Sequence, residues 1–184
     1  MRSRCSARER TILAVILVAI VVIGLAFSSV GSAFAAGACE LVQSDRDPSL
    51  KVLQCGQDLT VRLAKDASYT PLYKKGKPLP VGVRLNGGAL LIEFHPSPQQ
   101  KDFQILTPLA VAAVRGTRWA MEVTAARTST LVLEGSVAVT NRRLKQSVLL
   151  TDGQGVDITP TDTSMVPKQW GEARLRELLA RFGE

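Results

Sequence analysis

The chain has 184 residues, which is enough for one domain with a buried core after a targeting segment is set aside. Its formal net charge is +7, and the four Arg of its first ten residues account for much of that excess. The remaining basic residues are scattered and the chain has only two Trp and two Tyr, so the basic-aromatic clusters of a nucleic-acid-binding surface are absent from the sequence. Nucleic acid is therefore excluded as the expected partner.

Residues 1–35 have the pattern of an export signal or a membrane anchor helix. The Arg-rich start precedes the apolar run TILAVILVAIVVIGLAF, and Ala33 and Ala35 satisfy the small-x-small cleavage rule. The pattern favours cleavage after Ala35. An uncleaved anchor that keeps residues 12–27 in the inner membrane is the alternative. Both interpretations predict that the rest of the chain lies outside the cytoplasm, in the periplasm.

Cys39 and Cys55 enclose the segment CELVQSDRDPSLKVLQC, in which two strand-like stretches flank the turn-rich SDRDPS. A hairpin of this kind would bring the two sulfurs together. In an oxidising compartment the resulting disulfide would stabilise the fold by about 3 kcal/mol in the loop-closure model. The alternative is a lipid on Cys39, since small residues precede it, although Ala36 stands where a branched apolar residue is expected.

Residues 39–160 are predicted to form one β-domain, because apolar and polar residues alternate along them with a period of two. The alternation is clear in four segments: ALLIEF (89–94), FQIL (103–106), WAMEV (119–123) and SVAV (136–139). Short strands at intervals of about 10 residues predict an all-β fold, either an antiparallel sandwich or a barrel-like roll.

Glycine and proline mark the expected connections between these strands. Turns are predicted at Asn86-Gly87-Gly88, at Glu134-Gly135 and at Asp152-Gly153. The Pro- and Lys-rich segment Tyr69–Pro80 is predicted to be an exposed connection rather than a strand.

The segment 168–184 is predicted to contain a short amphipathic helix, since leucines and a phenylalanine recur at helical spacing in GEARLRELLARFG. The simpler interpretation is that the helix packs on the β-core through Trp170, Leu178 and Phe182. The alternative is that it engages a partner or the membrane surface.

No residue pattern indicates catalysis or a metal or cofactor site. His95 is the only histidine and stands at a strand end before a proline turn, so it lacks the companions of a metal site. Glu93, Glu122 and Glu134 fall on different strands and are expected to face solvent. An enzyme remains conceivable only if Glu93, Glu122 and His95 converge in space. We expect no catalytic, cofactor-binding or metal-binding residues.

Three segments together resemble the FecR domain family of bacterial envelope proteins. They are FQILTPLAVAAVRGTRWAMEV (103–123), TSTLVLEGSVAV (128–139) and VLLTDGQGVDI (148–158). This motif core, residues 103–158, keeps the family order: an aromatic strand ending in Thr-Pro, a small-residue strand ending in Val-Arg-Gly-Thr, an aromatic-led strand, a strand ending at Gly before a valine pair, and a Gly-x-Gly turn. The resemblance implies an all-β, non-enzymatic periplasmic module, built as an antiparallel β-roll or a double-stranded β-helix-like sandwich.

Five residues of this motif are candidate contacts for a partner: Thr107, Pro108, Arg115, Gly116 and Thr117. The simpler interpretation is structural. Pro108 suits a strand start or a sheet edge. Gly116 allows a positive φ that would reverse the chain before Thr117, whose hydroxyl would bond nearby backbone. Arg115 is expected to pair with a carboxylate, Glu122 or Glu134, or to bond exposed carbonyls.

The best-known members of the resembled family relay the state of an outer-membrane iron-siderophore transporter to a cytoplasmic sigma factor. Only about ten residues precede the apolar run here, so an anti-sigma segment is not expected and the chain resembles a stand-alone exported FecR-type domain. The leading hypothesis is a sensory or regulatory accessory that binds an envelope or inner-membrane protein. The alternative is an envelope structural or glycan-binding protein that uses Lys74, Lys75 and Lys77. Nothing in the sequence indicates an oligomeric state.

Overall fold

The computed structural model describes residues 39–184, in which eleven strands and one helix follow each other along the chain. The predicted signal or anchor segment, residues 1–35 with its apolar run 12–27, lies outside the described residues. The strands are β1 (Cys39–Gln43), β2 (Lys51–Cys55), β3 (Leu59–Leu63), β4 (Ser68–Tyr73), β5 (Pro80–Phe94), β6 (Phe103–Leu106), β7 (Ala110–Val123), β8 (Thr128–Asn141), β9 (Ser147–Thr151), β10 (Gln154–Ile158) and β11 (Lys168–Gln169), and the helix is α1 (Glu172–Ala180).

Three long strands, β5, β7 and β8, change their pairing partners part-way along their length. Each change falls near a glycine with positive φ: Gly88 at 78°, Gly116 at 110° and Gly135 at 90°. Only glycine adopts this conformation without strain, so these positions permit local irregularity inside a continuous strand. One eleven-stranded sheet is thereby divided into two parts that share their longest strands.

We name the two parts half I and half II. Half I contains β4, β6 and β9 with residues 80–87 of β5, 110–114 of β7 and 136–141 of β8. Half II contains β1, β2, β3, β10 and β11 with residues 88–94 of β5, 117–123 of β7 and 128–135 of β8. The all-β fold with one short helix agrees with the prediction. One pairing, β5 with β6, is parallel, so the expected fully antiparallel arrangement is wrong at that place.

The inward faces of both halves pack into one core. Phe94 of half II and Phe103 of half I have ring centroids 5.9 Å apart, which places the two halves face to face. In β3, β6 and the first part of β7, alternate residues are buried in this core, as the period-two pattern predicts. Its largest members are fully buried, and they are Trp119, Phe94, Phe103, Leu59, Leu85, Leu90, Ile92, Ile105 and Met121.

A second apolar cluster lies on the outward face of half II, where α1 covers the sheet. Leu178 and Phe182 are 5% and 0% exposed and pack against the outward alanines and leucines of the sheet, with Trp170 at the margin. The structure therefore agrees with the docking interpretation of the C-terminal segment. The cluster consists of Ala64, Ala89, Leu91, Ala120 and Leu131 from the sheet and Leu178 and Phe182 from the C-terminal segment. Among residues 39–184, no helix has the length and apolar character needed to cross a membrane.

Two of the three predicted glycine turns are wrong. Asn86-Gly87-Gly88 lies inside β5 and Glu134-Gly135 lies inside β8, because both segments have long-range strand partners on either side. Asp152-Gly153 is a turn, between β9 and β10. The predicted connection Tyr69–Pro80 is also partly wrong, since most of its first half belongs to β4. Proline is tolerated there because β4 pairs with β5 alone and forms an edge of half I.

Candidate functional site

Thr107 and Pro108 form the corner between β6 and β7. The Thr107 hydroxyl accepts a hydrogen bond from the Ala110 backbone N–H at 2.9 Å, and the Thr107 N–H donates to the Ala110 carbonyl at 2.8 Å. The Arg142 guanidinium donates to the Thr107 carbonyl at 3.0 Å. Thr107 is 2% exposed, whereas Pro108 is exposed at the tip of the corner. The corner fixes where β7 begins, which agrees with the structural interpretation of these two residues.

Arg115, Gly116 and Thr117 form a bulge inside β7 rather than the predicted reversal between strands. The register of β7 on β8 shifts between Val114 and Thr117, and the strand then continues. A Cβ added to Gly116 would lie 2.9 Å from Cδ of Pro96, so both its φ and its surroundings require glycine. Thr117 is 8% exposed and its hydroxyl has no hydrogen-bond partner, so the predicted bond to nearby backbone is not made.

Arg115 is exposed and makes no ion pair with the carboxylates predicted for it. Glu122 instead accepts a hydrogen bond from Arg181 and lies 3.9 Å from Arg127. The strand geometry explains the difference: Arg115 precedes the bulge and lies on half I, while Glu122 follows it on the outward face of half II. Arg115 borders an open cavity of about 440 Å³ on half I.

The floor of this cavity is a row of aligned residues on four neighbouring strands. Gln104 of β6 pairs with Ala113 of β7, Ala113 pairs with Ala138 of β8, and Ala138 pairs with Leu149 of β9. Both alanines are exposed and Leu149 is 62% exposed. Two small side chains between two larger ones leave a depression, which we call the alanine trough, with Arg115 also at its margin.

A second cavity of about 580 Å³ lies on the other side of the bulge and contains three arginines. Glu184 accepts hydrogen bonds or ion pairs from all of them: from Arg62 at 2.7 Å, from Arg46 at 2.8 Å and from Arg118. Arg118 also pairs with Glu93 at 3.2 Å. We call this set the Glu184 network. It fastens the end of the C-terminal segment to half II.

The Glu184 network shifts the pKa of two of its members, Glu184 and Arg118, toward the charged form. Burial acts to raise the pKa of Glu184, but hydrogen bonds from Arg62 and Arg118 and their charge outweigh it and lower that pKa. Burial likewise acts to lower the pKa of Arg118, and the hydrogen bond and charge of Glu184, with those of Glu93, raise it overall. Both shifts favour the charged form, so Glu184 and Arg118 act as counter-ions for each other.

The residues of the enzyme hypothesis do not form a catalytic set. Glu93 and His95 border the same cavity, yet Glu93 is ion-paired with Arg62 at 3.4 Å and with Arg118. Glu122 is held by Arg181 of the C-terminal segment. The prediction that Glu93 and Glu122 face solvent is wrong, because both are partly buried in ion pairs. Arg62 and Arg118 of the sheet pair with Glu93, and Arg181 of the C-terminal segment pairs with Glu122. Glu134 is exposed as predicted. Within residues 39–184, no cluster of His, Cys, Asp and Glu could hold a metal ion.

Cys39 and Cys55 form a disulfide between β1 and β2. The two residues are directly opposed in the antiparallel register, at the open end of the predicted hairpin. The predicted pairing is confirmed, and in this structure the Cys39 sulfur is not free to carry a lipid.

Lysines border a third cavity, of about 580 Å³, formed by the turn before β5 and the loop before β6. Lys74, Lys77 and Lys101 contribute to its rim, while Lys75 is exposed beside it. Gln100 anchors the loop, because its Nε2 donates to the Pro80 carbonyl at 2.8 Å. Lys101 is not among the lysines predicted from the sequence. It lies more than 20 residues after Lys77, and no local pattern indicates that the fold brings it near Lys74 and Lys77.

Comparison with known proteins places this geometry in a family. Residues 48–138 match the family model described as FecR protein, so the match reaches further upstream than the motif core 103–158 and ends before the segment 148–158. A search of curated proteins finds no match.

Two solved structures have a similar fold. Both are crystal structures of a proposed anti-sigma factor from Parabacteroides distasonis ATCC 8503, at 1.65 and 2.50 Å resolution. They superpose with TM-scores of 0.52 and 0.49, and each is 14% identical to this chain. Each match covers 78% of this chain and 61% of the solved one, so this chain spans less than two thirds of the length of that protein. At this identity the likeness concerns the fold alone. The family match alone shows that residues 48–138 of this chain form a FecR domain.

Proposed function

We propose that this protein is a non-enzymatic, periplasmic FecR-type domain that binds an envelope or inner-membrane protein and acts as its sensory or regulatory accessory. The FecR match over residues 48–138 is the observation that carries the proposal. The two sheet halves around one core support the β-roll form expected for such a domain. Their similarity to a proposed anti-sigma factor supports a regulatory role rather than a metabolic one.

Two features support export to the periplasm. The Cys39–Cys55 disulfide is of the kind that persists in oxidising compartments. Residues 1–35 begin with arginines and continue as an apolar run, the pattern of a signal or an anchor. If residues 12–27 are not removed, the domain is held at the inner membrane, close to a membrane-bound partner.

The side chains support binding rather than catalysis. Glu93 and Glu122 are neutralised by arginines, and His95 is exposed without a second histidine in the chain. By contrast, Arg115 and the alanine trough are exposed on half I and belong to neither apolar cluster and to no ion pair. Exposed groups of this kind are typical of contact surfaces.

The test is site-specific photo-crosslinking in cells that export the full chain. A photoreactive residue is placed at position 115 or 138 on half I, and at position 173 or 176 on α1. We expect an envelope or inner-membrane protein to be captured from one of these faces and identified by mass spectrometry. Capture of no such protein from any position would contradict the proposal. Fractionation of the same cells tests the location. The protein should be recovered in the periplasmic or membrane fraction, and recovery in the cytoplasmic fraction would contradict export.

A second candidate function is binding to an anionic envelope glycan, favoured by the lysine-bordered cavity. The experiment is sedimentation with purified cell wall. Replacement of Lys74, Lys75 and Lys77 by Gln should abolish sedimentation if this loop binds the polymer. The matched control replaces three exposed lysines elsewhere, Lys51, Lys65 and Lys168, and should have no effect. Equal sedimentation of both triple variants would remove this candidate.

A further inference from the structure

Basic residues are concentrated on half I. The segments that build it, residues 68–87, 96–115 and 136–152, contain nine basic and two acidic side chains, whereas the rest of the described chain contains ten basic and thirteen acidic ones. The net positive charge of the described chain therefore comes from half I. The nine basic residues are Lys74, Lys75, Lys77, Arg84, Lys101, Arg115, Arg142, Arg143 and Lys145.

The ion pairs have the opposite distribution. None of the ten ion pairs in residues 39–184 involves a side chain of the three segments that build half I. All ten lie on half II or on the C-terminal segment that covers it. The ion pairs are therefore confined to half II and the C-terminal segment, while half I carries nine basic and two acidic side chains and no ion pair, with the carboxylate of Asp102 exposed at the same cavity as Arg115. Such a surface attracts an acidic partner and accelerates its association.

The two outward sheet faces also differ in what covers them. The outward apolar residues of half II are buried under Leu178 and Phe182. Those of half I remain uncovered by any described segment: Ala113 and Ala138 are exposed, and Leu149 is 62% exposed. A large side chain placed in the trough would remove apolar surface of Leu149 and of both alanines from water.

The neighbouring edge of half I favours a polypeptide as the occupant. β9 has the sequence SVLLT, without charge or proline, and pairs with β8 alone. The opposite edge, β4, contains Pro71 and two register irregularities, which discourage pairing with another chain. A strand without these protective features offers backbone donors and acceptors that an extended peptide can use.

We propose that the alanine trough binds an acidic segment of the partner protein. One large apolar side chain of that segment lies over Ala113 and Ala138, and a carboxylate next to it pairs with Arg115. The inference rests on the proposed function, because it names the surface and the chemistry of the partner that the function requires. A glycan or a lipid headgroup supplies the negative charge without the adjacent apolar side chain that the trough accommodates.

The test measures binding of one defined probe, a fluorescein-labelled peptide that alternates Glu with Leu and Phe, to the full chain purified from the envelope. Ala138→Leu fills the trough without a change of charge, and Arg115→Glu reverses the charge at its margin. We expect each substitution to weaken binding by about tenfold or more. Arg115→Lys should retain part of the affinity, since it keeps the charge but not the planar donor group.

Matched controls separate the trough from general effects. Ala173→Leu and Arg176→Glu make the same changes at exposed positions of α1 and should leave binding within about twofold of the parent. All variants should unfold at nearly the same urea concentration as the parent, because the four positions are exposed, with a small decrease in Arg176→Glu from the lost Glu172 pair. Vesicles of phosphatidylglycerol and purified cell wall, tested in place of the peptide, should bind more weakly and be insensitive to Ala138→Leu.

Absence of peptide binding, or peptide binding that Ala138→Leu leaves unchanged, would overturn the inference. Loss of vesicle binding in Ala138→Leu would also overturn it and would assign the trough to lipid. These failures are distinguishable from a failure of the proposed function. If crosslinking captures a membrane protein through α1 but not through position 138, the function stands and the trough assignment is wrong.

Discussion

Arg174 of α1 binds Asp157 of β10 through two hydrogen bonds, at 2.8 and 2.6 Å, while its guanidinium lies 3.5 Å from the ring centroid of Trp170. Ser129 donates a further hydrogen bond to Asp157 at 2.6 Å. A helix of nine residues is not stable alone in water, so α1 depends on contacts of this kind and on its apolar face.

Arg174→Ala should therefore loosen the docked helix. It removes a bidentate ion pair and a cation–π contact, but both partners are more than a third exposed, so we expect a loss of only about 1 kcal/mol in the free energy of unfolding. Urea unfolding followed by Trp fluorescence measures it. The control is Arg176→Ala, whose pair with Glu172 is largely exposed and should contribute about 0.3 kcal/mol. Equal losses would show that the Arg174 contacts do not fasten the helix.

Acid should weaken the attachment of the C-terminal segment through Glu184. The pKa of Glu184 is lowered from its ordinary value of 4.5 because, although burial acts to raise it, Arg62 and Arg118 outweigh burial. A carboxyl with a lower pKa in the folded protein stabilises the fold at every pH above its unfolded pKa, and this stabilisation is lost as the pH falls through the folded pKa. The loss should begin near pH 4.5 and increase below it.

Urea unfolding at pH 7, 5 and 3 tests this dependence on Glu184. Glu184→Gln should be less stable than the parent at pH 7, and the difference between the two proteins should shrink as the pH falls to 3. Asp157, whose pKa is lowered from 3.8 by Arg174 and Ser129 against the effect of burial, remains in both proteins and accounts for a shared decline at lower pH. A difference that is constant over the pH range would contradict a role for the Glu184 charge.

Gly116→Ala should destabilise the fold, because the bulge needs φ near 110° and the new Cβ would lie 2.9 Å from Pro96. We expect a loss of about 2 to 3 kcal/mol in the free energy of unfolding. Two control substitutions separate the causes. Gly56 also has positive φ but lies in open space, so Gly56→Ala should lower the free energy of unfolding by about 1 kcal/mol. Gly87 has ordinary φ and no close contact, so Gly87→Ala should lower it by less than about 0.5 kcal/mol. Similar effects at Gly116 and Gly87 would contradict the bulge as a fixed feature.

The core could be predicted from the sequence, because side-chain direction in a strand follows from a local period of two. Leu90, Ile92 and Phe94 are inward and buried, as their alternation indicates. The two wrong glycine turns have a physical explanation. Positive φ serves a turn and a bulge equally well, and the choice between them depends on strands that are distant in sequence.

The ion pairs and the trough could not be predicted for a related reason. Glu122 and its partner Arg181 are 59 residues apart, and nothing local to either residue indicates the other. Ala113 and Ala138 are recognisable as outward small residues from alternation alone. Their meeting in one row, with Leu149 beside them, follows only from the register of β7, β8 and β9. Composition records the excess of basic residues but not its confinement to half I.

Reduction of the Cys39–Cys55 disulfide should lower the free energy of unfolding by about 3 kcal/mol, because the bond closes a loop in the unfolded chain between two cysteines with a sequence separation of 16. The measurement compares urea unfolding of the oxidised protein with that of a Cys39→Ser, Cys55→Ser double variant. Peptide mapping of the alkylated, non-reduced protein should find neither cysteine modified. The disulfide joins the first two strands at one edge of half II, so the loss should appear as a lower unfolding midpoint with the core strands still folding cooperatively. Alkylation of Cys55 together with a lipid mass on Cys39 would contradict the disulfide and assign the protein to the membrane surface.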